Sequence, residues 1–270
     1  MRCRALLLCF VALCLPSADL TFQKIGQGPG VLLIHGFGGN KEVWSSVAAE
    51  LARDHTVLSV DLPGSGGSPG PVVVEGHADF GAVAKNLATL VRREGLAPCL
   101  VVGHSMGGPI AARTVLEDPG AFRGLVLVDS FLSAVPAGWV ESIAVALGKD
   151  PGPALASFMG PISAGPAQTE RLVADTLKVP VPALQAYLRA MAQDPLAARQ
   201  AQLRLPVLQL AAGPREPDPA KEAAVLAQFG FKDLPAFRVI HFPSAKHWIM
   251  WDAPEPFLIA LRAFEAGLGR

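Results

Sequence analysis

The sequence predicts an α/β protein: a mainly parallel, doubly wound sheet carrying an inserted helical cap. Three observations predict it. Six apolar runs of strand length, GVLLIHGF, HTVLSVDLPG, CLVVGHS, GLVLVDS, PVLQLAAG and FRVIHFPS, are rich in Val, Ile and Leu and give way to Gly, Asp or Ser. Strands buried on both faces have this composition. Amphipathic or alanine-rich helical patterns fall between them, at roughly 41–53, 77–93, 106–117, 220–228 and 254–266. Such alternation implies right-handed crossovers between parallel strands. From Phe131 to Gln202 the rhythm breaks: no strand pattern occurs, while prolines and Ala/Leu helical patterns recur. That interval is too long for a connection in a compact domain. It also holds Phe131, Leu132, Trp139, Phe158, Met159, Leu172 and Tyr187, which need burial.

The elements divide the chain into an expected leader at 1–18, a core at 19–130 and 203–270, and a helical cap or lid at 131–202. In the leader, Arg2 and Arg4 precede an apolar run from Ala5 to Leu15, followed by PSADL. This is the arrangement of a secretory signal peptide, and eleven apolar residues are too few to span a bilayer. The expectation is therefore export to the periplasm or medium, with a cytoplasmic location if the segment is retained. Cys3, Cys9 and Cys14 lie inside it, so the mature chain would keep only Cys99 and no disulfide framework. Leu13 stands before Cys14, where lipid attachment would want a small residue. Cys99 opens an apolar strand and reads as a small buried hydrophobe.

Of the 270 residues, 51% are hydrophobic and 17% charged, with zero formal net charge. This is globular composition with a sizeable core. No basic patch suited to nucleic acid and no acidic run stands out.

VVGHSMGGPI, Val101 to Ile110, places Ser105 on a very short connection between an apolar strand and a helix. Gly103-His104-Ser105-Met106-Gly107 fits G-x-S-x-G, in which a strained turn lifts a hydroxyl above the sheet edge. The motif alone is a weak signal; partners decide it. A serine hydroxyl needs a base, usually a histidine held by a carboxylate. Among six histidines, His247 follows the last strand, in FPSAKHWIMWDAPEPF, and so falls on the same rim as the Ser105 turn. His104 adjoins Ser105 and should point away, His35 ends the first long strand, His77 opens a helix, and His55 and His241 lie near strand edges. An oxyanion needs donors: HGFGGN, His35 to Asn40, offers the N–H of Phe37, and the turn offers that of Met106. A phosphate cradle is the competing reading of those glycines, but no Lys-Ser/Thr follows.

HGFGGN, DLPGSGGS, GHSMGG, LVLVDS and KHWIMWDAPEPF, in this order, resemble the α/β-hydrolase fold family, of the cap-bearing serine esterase type. The resemblance covers roughly 30–268 and weakens across the cap. Ser65, in DLPGSGGS, departs from relatives that carry histidine there. The resemblance implies the chain order Ser, acid, His. It points to Glu216 in AAGPREPDP as the acid, with Asp129 in LVLVDS as the alternative and Asp218 after that. Each carboxylate could equally be a helix cap or a solvated loop residue.

Related dehalogenases and epoxide hydrolases need a carboxylate at position 105, and the latter a pair of cap tyrosines; this chain has Ser105 and one tyrosine, Tyr187. The resemblance therefore implies a carboxylesterase working through an acyl-enzyme, with no metal or organic cofactor. The expected partner is a small-molecule ester. Nucleic acid and stable membrane insertion are not expected, and the chain is expected as monomer or homodimer. Phe37, Phe131, Trp139, Met159 and Trp248 could line an apolar pocket, although such residues are more often plain core. Lactonase, thioesterase, perhydrolase, carbon–carbon hydrolase and lyase activities share these motifs, as do hydrolase-fold small-molecule receptors.

Overall fold

In the computed structural model, which describes residues 20–193 and 195–268, a seven-stranded sheet forms the middle layer. Its strands are β1 (Phe22–Ile25), β2 (Gly30–Ile34), β3 (Thr56–Val60), β6 (Cys99–His104), β7 (Phe122–Val128), β8 (Val207–Ala212) and β9 (Phe237–Phe242). A separate two-stranded hairpin pairs β4 (Val73–Val74) with β5 (His77–Ala78). The sheet order is β1-β3-β2-β6-β7-β8-β9, and every pair is parallel except β1 with β3. All six strands read from the apolar runs are present. β1 is an addition: four residues at the antiparallel edge, none of them fully buried, leave little hydrophobic pattern.

Helices α1 (Ser45–Leu51), α2 (Phe80–Arg93), α3 (Gly107–Glu117), α8 (Pro219–Gln228), α9 (Ile249–Asp252) and α10 (Pro254–Ala266) alternate with the strands. α2 begins at Phe80, because the Asp79 side chain accepts the Ala82 N–H and caps the first turn. His77, expected to open this helix, instead lies in β5.

The order of strands fixes where a site can form. From β2 the chain moves to one side, into β3, and returns on the other side as β6. Loops leaving the carboxyl ends of β2 and β6 therefore diverge and leave a crevice between them. HGFGGN leaves β2 and the Ser105 turn leaves β6.

Between β7 and β8 the chain inserts α4 (Ala137–Lys149), α5 (Pro151–Met159), α6 (Pro166–Thr176) and α7 (Val181–Gln193). Tyr187 Oη donates to the Pro63 carbonyl (2.8 Å), and Thr176 Oγ1 donates to that of Gly38 (3.2 Å). These bonds tie α6 and α7 to loops at the carboxyl ends of β2 and β3. Among the described residues no helix is long and apolar enough to cross a membrane. The segment 1–18 read as a signal lies outside the described residues, as does Cys14.

His35 joins the loops after β2 and β3. It is fully buried; its Nδ1–H donates to the Gly36 carbonyl (2.8 Å) and its Nε2 accepts the Leu62 N–H (2.9 Å). Both bonds require a neutral ring, and burial pushes its pKa down to about 4. The unfolded chain then binds this proton more readily than the folded one, so folding is progressively weakened as pH falls from about 6.5 to about 4. The shift corresponds to about 3 kcal/mol. His35→Gln is expected to flatten this limb of stability against pH, read from urea midpoints at pH 7 and pH 4.5. An unchanged slope would remove His35 as its source.

Candidate active site

The turn after β6 is built from small residues because nothing larger fits. A Cβ on Gly103 would stand 2.3 Å from the Gly107 carbonyl oxygen, and one on Gly107 would stand 2.6 Å from that of His35. With strand and helix this close, Ser105 is forced to φ +52°, a left-handed conformation that disfavours an L side chain by about 1 kcal/mol or more. The turn is pinned from below: Ser105 N–H donates to the Val128 carbonyl (2.9 Å), and Ser130 Oγ donates to the Ser105 carbonyl (2.6 Å). Ser130 was not legible as part of this turn, since the two residues are 25 apart in sequence.

Gly108 makes room for that support. A Cβ there would lie 1.8 Å from Ser130 Oγ and 2.7 Å from Ser130 Cβ. Gly108→Ala is expected to lower unfolding free energy by about 1–3 kcal/mol through overpacking. Adding Ser130→Gly should recover part of that loss in a denaturant double-mutant cycle. Additive losses would show that the two positions do not meet.

His247, between β9 and α9, is brought to Asp129, just beyond β7. Its Nδ1–H donates to Asp129 Oδ2 at 2.6 Å. Asp129 also has positive φ, +42°; its N–H donates to the Leu210 carbonyl (2.7 Å) and its Oδ1 accepts the Ala212 N–H (2.9 Å). The carboxylate is thus oriented by the backbone of β8, while its other oxygen fixes the imidazole tautomer and leaves Nε2 as an acceptor.

This corrects the expectation that Glu216 meets the histidine. Gly213, at φ +83°, turns the chain after β8, and the loop then closes on itself. Glu216 Oε1 accepts the Asp218 N–H (3.1 Å), and Glu216 N–H donates to Glu222 (3.2 Å), which also binds His241 (2.8 Å). Asp218, the third choice, caps α8 by accepting the Ala220 N–H (2.9 Å). Both carboxylates are spent on the local structure of this loop.

His247 is also held through its backbone. Its carbonyl accepts from His104 Nε2 (3.0 Å), and its N–H donates to the Ile162 carbonyl of the insertion (3.1 Å). The two imidazoles lie 4.7 Å apart, centroid to centroid. His104 is buried, and desolvation, followed by the proximity of His247, holds its pKa well below the usual histidine range. It therefore stays neutral and keeps its Nε2 proton for that carbonyl. His104 was expected only to point away from Ser105, and its hold on the His247 carbonyl had no sequence signal, the two being 143 residues apart.

The backbone of the loop after β2 runs beside Ser105: a Cβ on Gly36 would meet Ser105 Cβ at 3.0 Å. The peptide joining Gly36 to Phe37 is therefore next to the hydroxyl-bearing residue. Met106 immediately precedes α3, in the first turn, where N–H groups have no helical acceptor. A cavity opens from this loop, lined by Gly36, Phe37, Met159, Arg171, Trp248 and Trp251 among others. Met159 and Trp248, two of the residues read as substrate-pocket lining, stand on the wall of this cavity. Trp139 is not: it is 46% exposed and packs edge-on against Phe158, whose ring in turn meets Phe37. It is separated from the cavity by an intervening ring. Arg171 and Trp251 had no sequence signal, being 80 residues apart.

Comparison with known proteins agrees with this architecture. The model of the "Alpha/beta hydrolase family" matches residues 31–260. A fluoroacetate dehalogenase of Burkholderia sp. is 40% identical over 115 residues, 41% of this chain and 38% of that protein. A pimeloyl-(acyl-carrier protein) methyl ester esterase of Aeromonas hydrophila is 32% identical over 114 residues, 42% of each chain. The chain thus spans about two fifths of the length of the curated relatives it matches. Among solved structures, a thermophilic esterase from Thermogutta terrifontis superposes with a TM-score of 0.79 at 24% identity, over 94% of this chain and 95% of that one.

Proposed function

Since the chain belongs to the alpha/beta hydrolase family, we propose that it is a serine hydrolase that cleaves carboxylic esters through an acyl-enzyme on Ser105. The observation that carries this reading is the 2.6 Å bond between His247 and Asp129, placed on the rim from which the strained Ser105 turn rises. Asp129 holds the imidazole so that Nε2 takes the Ser105 proton as Oγ attacks the ester carbonyl. The N–H groups of Phe37 and Met106 stabilise the oxyanion. The protonated His247 gives its proton to the leaving alcohol, the acyl group remains on Ser105, and water activated by His247 then releases the carboxylic acid.

A serine in the elbow separates this chain from a dehalogenase reading, which needs a carboxylate at that position. Residues 131–202 act as the lid, contributing Met159, Arg171 and Leu172 to the cavity wall. The test is hydrolysis of p-nitrophenyl esters of increasing acyl length by the purified protein. Turnover with a chain-length cut-off supports the esterase and sizes the cavity. A folded protein that binds such esters without turning them over would overturn it in favour of a small-molecule receptor.

A further inference from the structure

Resting on that reading, we infer that the helical insertion is part of the mounting of the base: Gln168 and Asp252 are positioning residues through which α6 sets His247. His247 lies between β9 and α9, so no strand or helix ladder supplies partners for its backbone. Its two main-chain groups go to different parts of the molecule. The carbonyl accepts from His104, in the turn after β6 (3.0 Å), and the N–H donates to the carbonyl of Ile162, in the turn between α5 and α6 (3.1 Å).

A second tie reaches the residue before it. Lys246 N–H donates to Asp252 Oδ2 (2.8 Å), and Gln168 Nε2 on α6 donates to Asp252 Oδ1 (2.9 Å). Gln168 Oε1 already accepts the Ala164 N–H (2.7 Å), so the amide has one orientation and its NH₂ group faces Asp252. The carboxylate is therefore a bridge, one oxygen on the base loop and the other on the insertion, and both bonds are charge-assisted. Arg171, three residues beyond Gln168 and on the same face of α6, stands over the Trp251 ring at 4.4 Å. Residues 162, 168 and 171 thus grip the segment 246–252, while Asp129 and His104 hold the ring and carbonyl of His247 from the core. An insertion that moved away would take the acceptor of the His247 N–H with it and empty one oxygen of Asp252. The 2.6 Å bond to Asp129 would then rest on a main chain anchored from one side. Misplacing a base by about 1 Å is enough to lower a rate by up to about 100-fold.

The test reverses the polarity of the bridge. Gln168→Glu sets two carboxylates against each other, and Asp252→Asn sets two NH₂ groups against each other. In the double variant Gln168→Glu/Asp252→Asn the new amide at 252 donates to the new carboxylate at 168, the amides of Ala164 and Lys246 keep their acceptors, and the net charge is that of the parent. Two readouts are taken on the parent and the three variants: amide hydrogen exchange in peptides spanning 243–250, and kcat and KM on p-nitrophenyl butyrate. Each single variant is expected to exchange about tenfold faster in that segment and to lose about tenfold or more in kcat, with KM within about twofold. The double variant should return to within about threefold of the parent in both. Unchanged exchange in the single variants overturns the inference and leaves the esterase intact. Faster exchange with kcat at the parent value overturns the positioning role, since the loop is then released without consequence for the base. Losses in the double variant as large as the product of the single losses overturn the bridge. Absence of turnover in all four proteins, with exchange faster in the single variants and recovered in the double, overturns the esterase and leaves the grip of the insertion on the His247 loop standing.

Discussion

Ser105→Ala is expected to keep the fold and to lower the rate of ester hydrolysis by about 10⁴- to 10⁶-fold. The loss is large because the hydroxyl is the bond-forming atom in the proposed reaction, and neither His247 nor the oxyanion donors can act on an acyl group without it. Stability should change by less than about 1 kcal/mol. Position 105 is only partly buried, its anchoring bonds run through backbone N–H and C=O, and alanine meets the same left-handed backbone as serine. Initial rates on p-nitrophenyl butyrate, taken with a thermal melt, check both halves. A variant within tenfold of the parent would remove Ser105 from the chemistry.

Asp129→Asn should cost about 10⁴-fold in kcat, whereas Glu216→Gln should cost less than about twofold. Asparagine preserves the shape and can still accept the Ala212 N–H through Oδ1. Its NH₂ group would then face His247 Nδ1, and two donors cannot share that 2.6 Å contact. The ring must either move or take the other tautomer, which places a proton on Nε2 where a base is needed. Glu216 is bonded only within its own loop, so its amide loses nothing the reaction uses. The pair is read from kcat on a single activated ester. A large loss in Glu216→Gln with Asp129→Asn near the parent would reverse the assignment of the acid.

Those two carboxylates also show where sequence reading stops. The parallel strands were legible because burial on both faces leaves continuous Val, Ile and Leu runs, and the Ser105 turn because its glycines are imposed by backbone contacts under 3 Å. His247 followed from its place after the last strand. Which carboxylate meets it was not legible, because Asp129 and Glu216 both follow strands whose carboxyl ends share one rim. What separates them is the path of one loop, set by Gly213 and closed by the Glu222 carboxylate. Trp139 was misplaced for a related reason: an apolar residue on a helix of the insertion has no periodic marker saying whether it faces the cavity or solvent. β1 escaped notice because an edge strand of four partly exposed residues has almost no pattern.

The bond between Asp129 and His247 spans 118 residues of chain, and the helical insertion folds within that interval. Closing so long a loop is entropically costly and contributes little until β8 and β9 have joined the sheet. Helices can form earlier in folding, but the contact between Asp129 and His247, on which the proposed reactivity of Ser105 depends, cannot. If the proposed mechanism holds, a nascent or partly unfolded chain therefore carries an inert hydroxyl, and reactivity is acquired as a late, cooperative property of the finished sheet. On the proposed reading, the fold in this way withholds its nucleophile until the chain is complete to the strand that precedes His247.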